Sequence, residues 1–462
     1  MSYRYDLVIV GSGTTAIAGA LRAAGRGKRV LMVEQSQLGG TCVNWGCIPS
    51  KTLIAKAQIQ HRASRGPEFG LNLEIGRPDC ERLMAVKRQA VDTVRRERYQ
   101  KSLQQARGIE VRRGHGRFIS GRELQIGPDV VTCDRFLVAV GGVPRTLQIP
   151  GLSEIPYLTS YSALHLDCFP ESLLIIGGGV IALEMGQMFA RFGTRVTVVE
   201  RSDRVLKEFD PRLTAIFEDL LRAEGLELVL SAETRRAREE GAETVLEVTV
   251  NGEERELRAR RLMLAVGTAP ATVDIGLEAA GVTVDEGGFI GTDELMRTSA
   301  EGIWAAGDVT GAPLIAPAGA REAEVAVDNM FDPDLQLRID HRQTPMAVFV
   351  DPELAVVGQS AAQVQATGKE VVETWFDLAQ IAKSHVLGET RGGVLLVAER
   401  GSGRVLGVQL LLPRGADVIH EAALAVRFGL TVFDLAETVH VYPTIGDGLR
   451  LAALENIRQQ RS

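Results

Sequence analysis

Cysteine, net positive charge and long apolar runs are all scarce in this 462-residue chain. Five cysteines are too few for a disulfide scaffold, so a close pair is expected to do redox chemistry or bind a metal. A net charge of −7 argues against nucleic-acid binding, because phosphate recognition needs a basic surface. No apolar run reaches the roughly 18 residues of a membrane span. The first strand pattern leaves no room for a signal peptide, so we expect a cytoplasmic protein.

A strand, a glycine-rich turn, a helix and a second strand occur twice. The first copy begins with the apolar strand DLVIV and the second with SLLII, as expected for parallel strands buried on both faces. The motif residues are Gly11, Gly13, Ala16 and Glu34 in the first copy and Gly177, Gly179, Ala182 and Glu200 in the second. Each acid follows its first glycine by 23 residues, and a related AVG turn follows each copy. The repeat indicates a duplicated nucleotide-binding domain.

The residue types in each copy suit a dinucleotide. The first glycine permits the sharp turn, the second lets a pyrophosphate approach the backbone, and the small third residue lets helix and strand pack closely. The helix start offers free N–H groups to the phosphates, and the terminal acid accepts hydrogen bonds from a ribose. Two dinucleotides are therefore expected. Glu200 favours NADH over NADPH, although Arg201 and Arg204 could accept the extra phosphate of NADPH.

The cysteine pair lies in GGTCVNWGCIPSK, residues 39–51, just past the first glycine motif. Cys42 and Cys47 can close a small loop as a disulfide, and Gly46 would relieve crowding inside it. A helix that begins near Cys47 would favour its thiolate. The alternatives are two inert buried cysteines or half of a metal site. The other three cysteines show no pairing that would complete a zinc site.

At this cysteine motif the sequence resembles the pyridine nucleotide–disulfide oxidoreductases, and the resemblance extends over essentially the whole chain. It implies that the first glycine motif binds FAD and the second binds the nicotinamide cofactor. The other cofactor-binding residues that it implies are Gly40, Thr41, Gly141, Gly267, Gly307 and Asp308, the last of these on the flavin ribityl chain.

The resemblance also implies an α/β fold with two Rossmann-like domains and a C-terminal α+β dimerisation domain. The expected boundaries are 1–150 for the first part of the FAD-binding domain, 151–275 for the NAD(P)-binding domain, 276–338 for the second FAD or central part, and 339–462 for dimerisation. The charged stretch from about Cys80 to Arg107 is expected to be a solvated helix surface. The partner would be a second copy, with the active sites at the interface and a small-molecule substrate.

The implied mechanism is an electron relay. Hydride passes from the nicotinamide to the flavin, and electrons pass on to a Cys42–Cys47 disulfide. Cys47 is the thiol nearest the flavin and Cys42 the interchange thiol that meets the substrate. Lys51 sits by the flavin ring and pairs with Glu184.

Mercuric reductase is the member that the C-terminal segment resembles most. Tyr442 occupies the place of the histidine found in disulfide-reducing members, and Asp447 falls where an acid is expected. Tyr157 corresponds to a second active-site tyrosine, or else is ordinary packing, and His440 is an incidental polar residue or a displaced base. Hg(II) held by Cys42 and Cys47 would then be the substrate.

One departure weakens this reading of the substrate. The chain ends ENIRQQRS, without the vicinal cysteine pair that delivers mercury in typical mercuric reductases. Two alternatives stay open. The first is a disulfide or dithiol oxidoreductase such as dihydrolipoamide dehydrogenase, and the second is a redox-sensing flavoprotein with negligible turnover.

Overall fold

Three five-stranded sheets organise the residues described by the computed structural model, which are 4–311 and 313–461. Two of the sheets are parallel and the third is antiparallel. The predicted fold class, two Rossmann-like units followed by an α+β unit, is confirmed. The domain boundaries stay predictions.

Four strands of the first parallel sheet lie within the first 144 residues, and one of them precedes the first glycine turn. The elements of this part are β1 (Leu7–Val10), α1 (Thr14–Gly25), β2 (Val30–Glu34), α2 (Gly40–Asn44), α3 (Cys47–Ser64), α4 (Cys80–Val94), α5 (Lys101–Gln105), β3 (Ile109–Arg113), β4 (Gly116–Ser120), β5 (Glu123–Ile126), β6 (Asp129–Thr132), β7 (Phe136–Val138) and β8 (Gly142–Pro144). Strands β7, β1, β2 and β3 lie side by side, all parallel. All four residues of β1 are buried, because α1 packs on one face of the sheet and strands β4, β5 and β6 pack on the other.

The second parallel sheet repeats this arrangement around the second glycine turn. Its part of the chain contains β9 (Leu158–Thr159), α6 (Ser160–Ala163), β10 (Ser172–Ile176), α7 (Val180–Arg191), β11 (Arg195–Val199), α8 (Pro211–Ala223), β12 (Glu227–Val229), β13 (Ala232–Glu240), β14 (Glu243–Val250), β15 (Glu253–Ala259), β16 (Arg261–Leu264) and β17 (Thr268–Pro270). The strand order is β12, β11, β10, β16, β9. The two glycine turns therefore occupy equivalent places at the carboxyl ends of β1 and β10.

The remaining chain completes the first sheet and then forms the antiparallel unit. Its elements are β18 (Ile303–Ala305), α9 (Ala316–Phe331), β19 (Met346–Val348), β20 (Glu353–Gly358), α10 (Ala361–Gln365), β21 (Val371–Asp377), α11 (Ala382–Leu387), β22 (Gly393–Glu399), β23 (Val405–Leu412), α12 (Gly415–Phe428), α13 (Val432–Glu437) and α14 (Asp447–Gln460). Strand β18 pairs with β7 and is the fifth strand of the first sheet. This strand therefore follows all the strands of the second sheet in the sequence. The antiparallel sheet has the order β19, β20, β23, β22, β21.

The charged stretch after residue 80 is less exposed than expected. Helix α4 does present charges to solvent, but Lys87 is only 4% exposed. Its ammonium group donates a hydrogen bond to the carbonyl of Leu164, and burial lowers the pKa of the amine. The prediction of a purely solvated surface is therefore wrong at this residue.

Two of the outlying cysteines form a disulfide that the sequence analysis did not predict. Cys80, the first residue of α4, forms a disulfide with Cys168, 88 residues away, and their Cα atoms are 5.1 Å apart. The bond ties α4 to the segment that leads into β10. Cys133 is a buried free thiol.

Candidate active site

The cysteine motif folds as two consecutive helices. Cys42 lies within α2, and Cys47 is the first residue of the 18-residue helix α3. A Cβ atom at Gly46 would come within 3.1 Å of the carbonyl oxygen of Thr41, so the glycine does relieve crowding between the two cysteines. The start of a long helix carries partial positive charge, which favours a thiolate on Cys47.

Both cysteines are free thiols in this structure, and both are half-buried. The Cys42 thiol, which donates to the Cys47 sulfur, lowers the pKa of Cys47 to about 7, and the positive charge of Lys51 also lowers it. The same hydrogen bond, together with burial, raises the pKa of Cys42 well above its ordinary value. The pair is therefore one thiol and one sulfur that ionises near neutrality.

Lys51 and Glu184 form an ion pair close to the cysteines. The Lys51 ammonium lies 2.6 Å from a Glu184 carboxylate oxygen, and Glu184 is 4% exposed. The other Glu184 oxygen accepts a hydrogen bond of 2.9 Å from the backbone N–H of Phe349. The ammonium group also lies 4.9 Å from the centroid of the Phe349 ring. The pair thus connects α3, α7 and the start of the antiparallel unit.

The backbone of the first glycine turn is in close contact with two neighbouring segments of the chain. Gly11 has φ +116°, and a Cβ atom there would lie 2.3 Å from the carbonyl oxygen of Ala139. A Cβ atom at Gly40 would lie 2.7 Å from the Cα atom of Gly13, so the cysteine segment rests directly on the turn. Glu34 accepts hydrogen bonds from the Ser12 hydroxyl and the Ser36 backbone N–H.

Asp308 lies next to the backbone of Gly142, just after the first AVG turn. Burial, followed by the negative charge of Glu322, raises the pKa of Asp308. A Cβ atom at Gly142 would lie 3.6 Å from the Asp308 side chain. Gly141 and Gly307 both have positive φ, at +73° and +81°. A half-buried acid and bare backbone at one place leave polar groups available to a ligand.

The second glycine turn reproduces the first. Gly177 has φ +114°, and a Cβ atom there would lie 2.4 Å from the carbonyl oxygen of Ala265. Gly179 precedes α7 as Gly13 precedes α1, Ala182 is buried, and Gly267 has φ +107°. Glu200 accepts hydrogen bonds of 2.6 Å and 2.7 Å from the backbone N–H groups of Gly178 and Ser202.

The family follows from comparison with known proteins. Residues 5–328 match the pyridine nucleotide-disulphide oxidoreductase family, and residues 344–453 match its dimerisation domain. The chain belongs to this family. It is accordingly an enzyme of an FAD-dependent family that uses NAD(P)H.

The relatives carry different enzyme names. A mercuric reductase from Staphylococcus aureus is 36% identical over 97% of this chain and 82% of its own length. A dihydrolipoyl dehydrogenase from Thermus scotoductus is 32% identical over 97% of this chain and 96% of its own. The Cu(II) complex of the HOCl-induced flavoprotein disulfide reductase RclA from Escherichia coli is 27% identical, with a TM-score of 0.87 over 98% of this chain and 100% of that one.

The two predicted tyrosines occupy different surroundings in this oxidoreductase chain. Tyr157 packs against the apolar core beneath the second sheet, as the packing alternative expects. Tyr161, which the sequence analysis did not single out, contacts the cysteine segment instead. Its hydroxyl lies 2.9 Å from the Thr41 hydroxyl and donates to the Gly142 carbonyl at 3.1 Å, and its ring stacks on Trp45.

The C-terminal segment presents Tyr442 outward. Its side chain is 72% exposed, whereas Asp447 is buried and accepts a hydrogen bond of 2.7 Å from Arg450. The two ring nitrogens of His440 lie 2.9 Å from the Thr438 carbonyl and 2.9 Å from Glu421. His440 therefore anchors the segment that carries Tyr442.

Residues 4–311 and 313–461 contain neither a candidate membrane-spanning helix nor a metal-holding cluster of side chains. No helix in that part of the chain combines the length and apolar character needed to cross a membrane. Within the same described residues, no cluster of three or more His, Cys, Asp or Glu side chains is arranged to hold a metal ion.

Proposed function

We propose that this enzyme reduces thiol-bound Hg(II) with electrons from NADH, and that Cys42 and Cys47 are the sulfurs that meet the metal. The observation that carries the proposal is the state of the pair: a thiol and a readily ionised sulfur in hydrogen-bond contact. Soft metal ions prefer thiolate ligands, and Hg(II) as the substrate needs only two of them. The mercuric reductases among its relatives support this choice of acceptor.

The first glycine turn and its surroundings fit FAD. The start of α1 leaves backbone N–H groups free for a pyrophosphate, and side chains larger than hydrogen are excluded where Gly13 meets Gly40. We assign to FAD the residues Gly11, Gly13, Ala16, Glu34, Gly40, Thr41, Gly141, Gly307 and Asp308. Bound FAD would take up a hydride and supply an electron pair to sulfur.

The second glycine turn fits the nicotinamide cofactor, and Glu200 favours NADH. Two backbone N–H groups fix the Glu200 carboxylate beside the turn, where it can accept hydrogen bonds from a ribose and repel a 2′-phosphate. Gly177, Gly179, Ala182 and Gly267 form the rest of this site. Arg204, whose guanidinium donates to the Lys207 carbonyl at 2.9 Å, is already engaged locally.

The chain's own groups handle charge and protons at the sulfurs. Lys51, fixed by Glu184, provides positive charge that stabilises negative charge on Cys47. When Cys42 binds Hg(II), a small thiolate leaves the metal and takes up the Cys42 proton. In a homodimer formed through the dimerisation domain, the exposed Tyr442 of one copy would approach Cys42 of the other, with Asp447 fixing the helix behind it.

A disulfide acceptor is the second candidate. The pair described here, one thiol beside one sulfur that ionises near neutrality, is also the form that attacks a disulfide. The dihydrolipoyl dehydrogenase relative supports this alternative.

Steady-state assays separate the two candidates. We expect Hg(II) in excess thiol to stimulate NADH oxidation, and Cys42→Ser to abolish the stimulation. Cys133→Ser is the matched control, because Cys133 is buried and its thiol donates to the Tyr5 carbonyl, away from the pair. Turnover of lipoamide or glutathione disulfide without any response to Hg(II) would reject mercury in favour of a disulfide.

A further inference from the structure

The turn that leads into Asp308 is held through both backbone polar groups of Gly307. This buried glycine has φ +81°, and its carbonyl accepts hydrogen bonds from the Thr310 backbone N–H at 2.8 Å and the Thr310 hydroxyl at 2.9 Å. Its N–H donates to a carboxylate oxygen of Glu322, in α9, at 2.7 Å. One group of Gly307 is therefore satisfied within the turn and the other by α9.

Helices α1 and α9 pack directly against this glycine. A Cβ atom at Gly307 would lie 2.6 Å from the hydroxyl oxygen of Thr15 in α1. A Cβ atom at Gly319 in α9 would lie 2.8 Å from the Gly307 Cα atom. The turn has little room to move between the two helices, so a carboxylate on α9 that binds its N–H helps to set where Asp308 stands.

Glu322 is a buried acid, only 2% exposed. Burial raises the pKa of Glu322, whereas the hydrogen bond from the Gly307 N–H and the charge of His341 lower it. No Lys or Arg side chain in the described part of the chain forms an ion pair with this carboxylate. Burying a carboxylate is costly unless it is paired and hydrogen-bonded, so a second donor stabilises Glu322 in this place.

The second donor comes from the segment that joins α9 to the antiparallel unit. His341 begins a short 3-10 helix, His341–Gln343, between α9 and β19. Its ring nitrogen Nε2 lies 3.1 Å from Oε1 of Glu322, the oxygen that does not bind Gly307. An imidazole with a proton on Nε2 donates to a carboxylate whether the ring is neutral or charged. Glu322 thus connects the joining segment to the turn before Asp308.

We propose that His341 is a positioning residue for FAD. Its ring donates to Glu322 and keeps that carboxylate on the Gly307 N–H, and the turn fixed in this way presents Asp308 to the cofactor. The inference rests on the proposed function in assigning Gly307 and Asp308 to FAD. It does not depend on whether the electron acceptor is a metal ion or a disulfide.

The ring also acts on the charge beside the cofactor. After burial, the negative charge of Glu322 is the second cause that raises the pKa of Asp308. A donor on Glu322 offsets part of that negative charge. Loss of the His341 ring would therefore loosen the turn and increase the repulsion between the two acids.

The test measures the retention of FAD and needs no turnover. Holoenzyme freed of unbound flavin is diluted, and the release of FAD is followed by the rise in flavin fluorescence. We expect His341→Phe, which keeps a ring but no donor, to release FAD about tenfold faster, as loss of a hydrogen bond to a charged group predicts. His341→Gln keeps an N–H donor and should stay within about threefold of the parent. His385→Phe is the matched control, because the His385 ring lies 2.8 Å from the Ala379 carbonyl in the antiparallel unit.

A double-mutant cycle separates this role from general packing. In the Glu322→Gln background, which lacks the buried charge, His341→Phe should change the rate of FAD release by less than about twofold. Circular dichroism and Tm report folding for each variant. The inference is overturned if His341→Phe releases FAD as slowly as His385→Phe, or if His341→Gln releases it as fast as His341→Phe. An equal effect of His341→Phe with and without Glu322→Gln would also overturn it.

The inference and the proposed function can fail separately. Faster release of FAD from His341→Phe supports the positioning role even if Hg(II) does not stimulate NADH oxidation in the parent enzyme. Conversely, a parent that binds FAD and responds to Hg(II), but whose His341→Phe variant releases the flavin at the parent rate, would refute the positioning role alone.

Discussion

Replacing Cys42 with alanine tests the electrostatics of the pair most sharply. The hydrogen bond from Cys42 is the largest single influence that lowers the pKa of Cys47, to about 7. A group with that pKa is about half ionised at pH 7, and the thiolate is present above the pKa and lost below it. Without the donor, burial raises the pKa of Cys47 toward or above the ordinary thiol value of about 8.5, which leaves only a few per cent ionised at pH 7.

The assay is the pH dependence of the long-wavelength absorbance that a thiolate gives beside an oxidised flavin. In Cys42→Ala the remaining thiol cannot form a disulfide with its neighbour, so the band can be titrated directly. The reduced parent should titrate near pH 7, and the variant at least about one unit higher, equivalent to roughly 1.4 kcal/mol. Lys51→Met should shift the midpoint in the same direction by a smaller amount. A variant that titrates at the pH of the parent would refute the hydrogen-bond explanation.

Three further predictions concern the cofactors and the outlying disulfide. Glu200→Ala should raise the KM for NADH about tenfold relative to that for NADPH, through loss of charge-assisted hydrogen bonds; an unchanged ratio would contradict the role of the acid. Gly40→Ala should purify with little FAD by absorbance, because its Cβ would clash with the first turn, whereas Gly25→Ala, which meets nothing within 4 Å, should retain it; equal FAD content would count against the assignment. Cys168→Ser removes the disulfide between Cys80 and Cys168, which are 88 residues apart. By constraining the unfolded chain, this disulfide adds about 4–5 kcal/mol to the free energy of unfolding. Calorimetry should show Tm lowered by about 5 °C, and a loss no larger than that of Cys133→Ser would contradict it.

The duplicated framework could be predicted because its signals are local. Apolar runs mark β1 and β10, and the glycines and terminal acids recur at equal spacing. Each of these features depends on neighbours within one βαβ unit or one strand. Strand β11 ends at Val199, one residue before Glu200, the terminal acid of the second copy. The Glu200 carboxylate accepts a hydrogen bond from the backbone N–H of Gly178 in the glycine turn.

The features that sequence reasoning missed all depend on distant residues. Cys80 and Cys168 are 88 residues apart, so no spacing pattern signals their contact. Tyr161 is four residues beyond Tyr157 and reaches the cysteine segment because α6 begins between them. The burial of Lys87 was missed because this residue lies in a charge-rich helix. Composition does not show which face of such a helix packs against the rest of the protein.

Quantifying sulfur and flavin together tests the central claim most directly. The purified enzyme, oxidised and then given one equivalent of NADH without oxygen, is quenched with an alkylating agent and analysed by mass spectrometry. The account predicts two newly alkylated sulfurs per bound FAD, located at Cys42 and Cys47, with Cys133 unchanged. Consumption of NADH that bleaches the flavin while both sulfurs remain unmodified would show that electrons leave by another route.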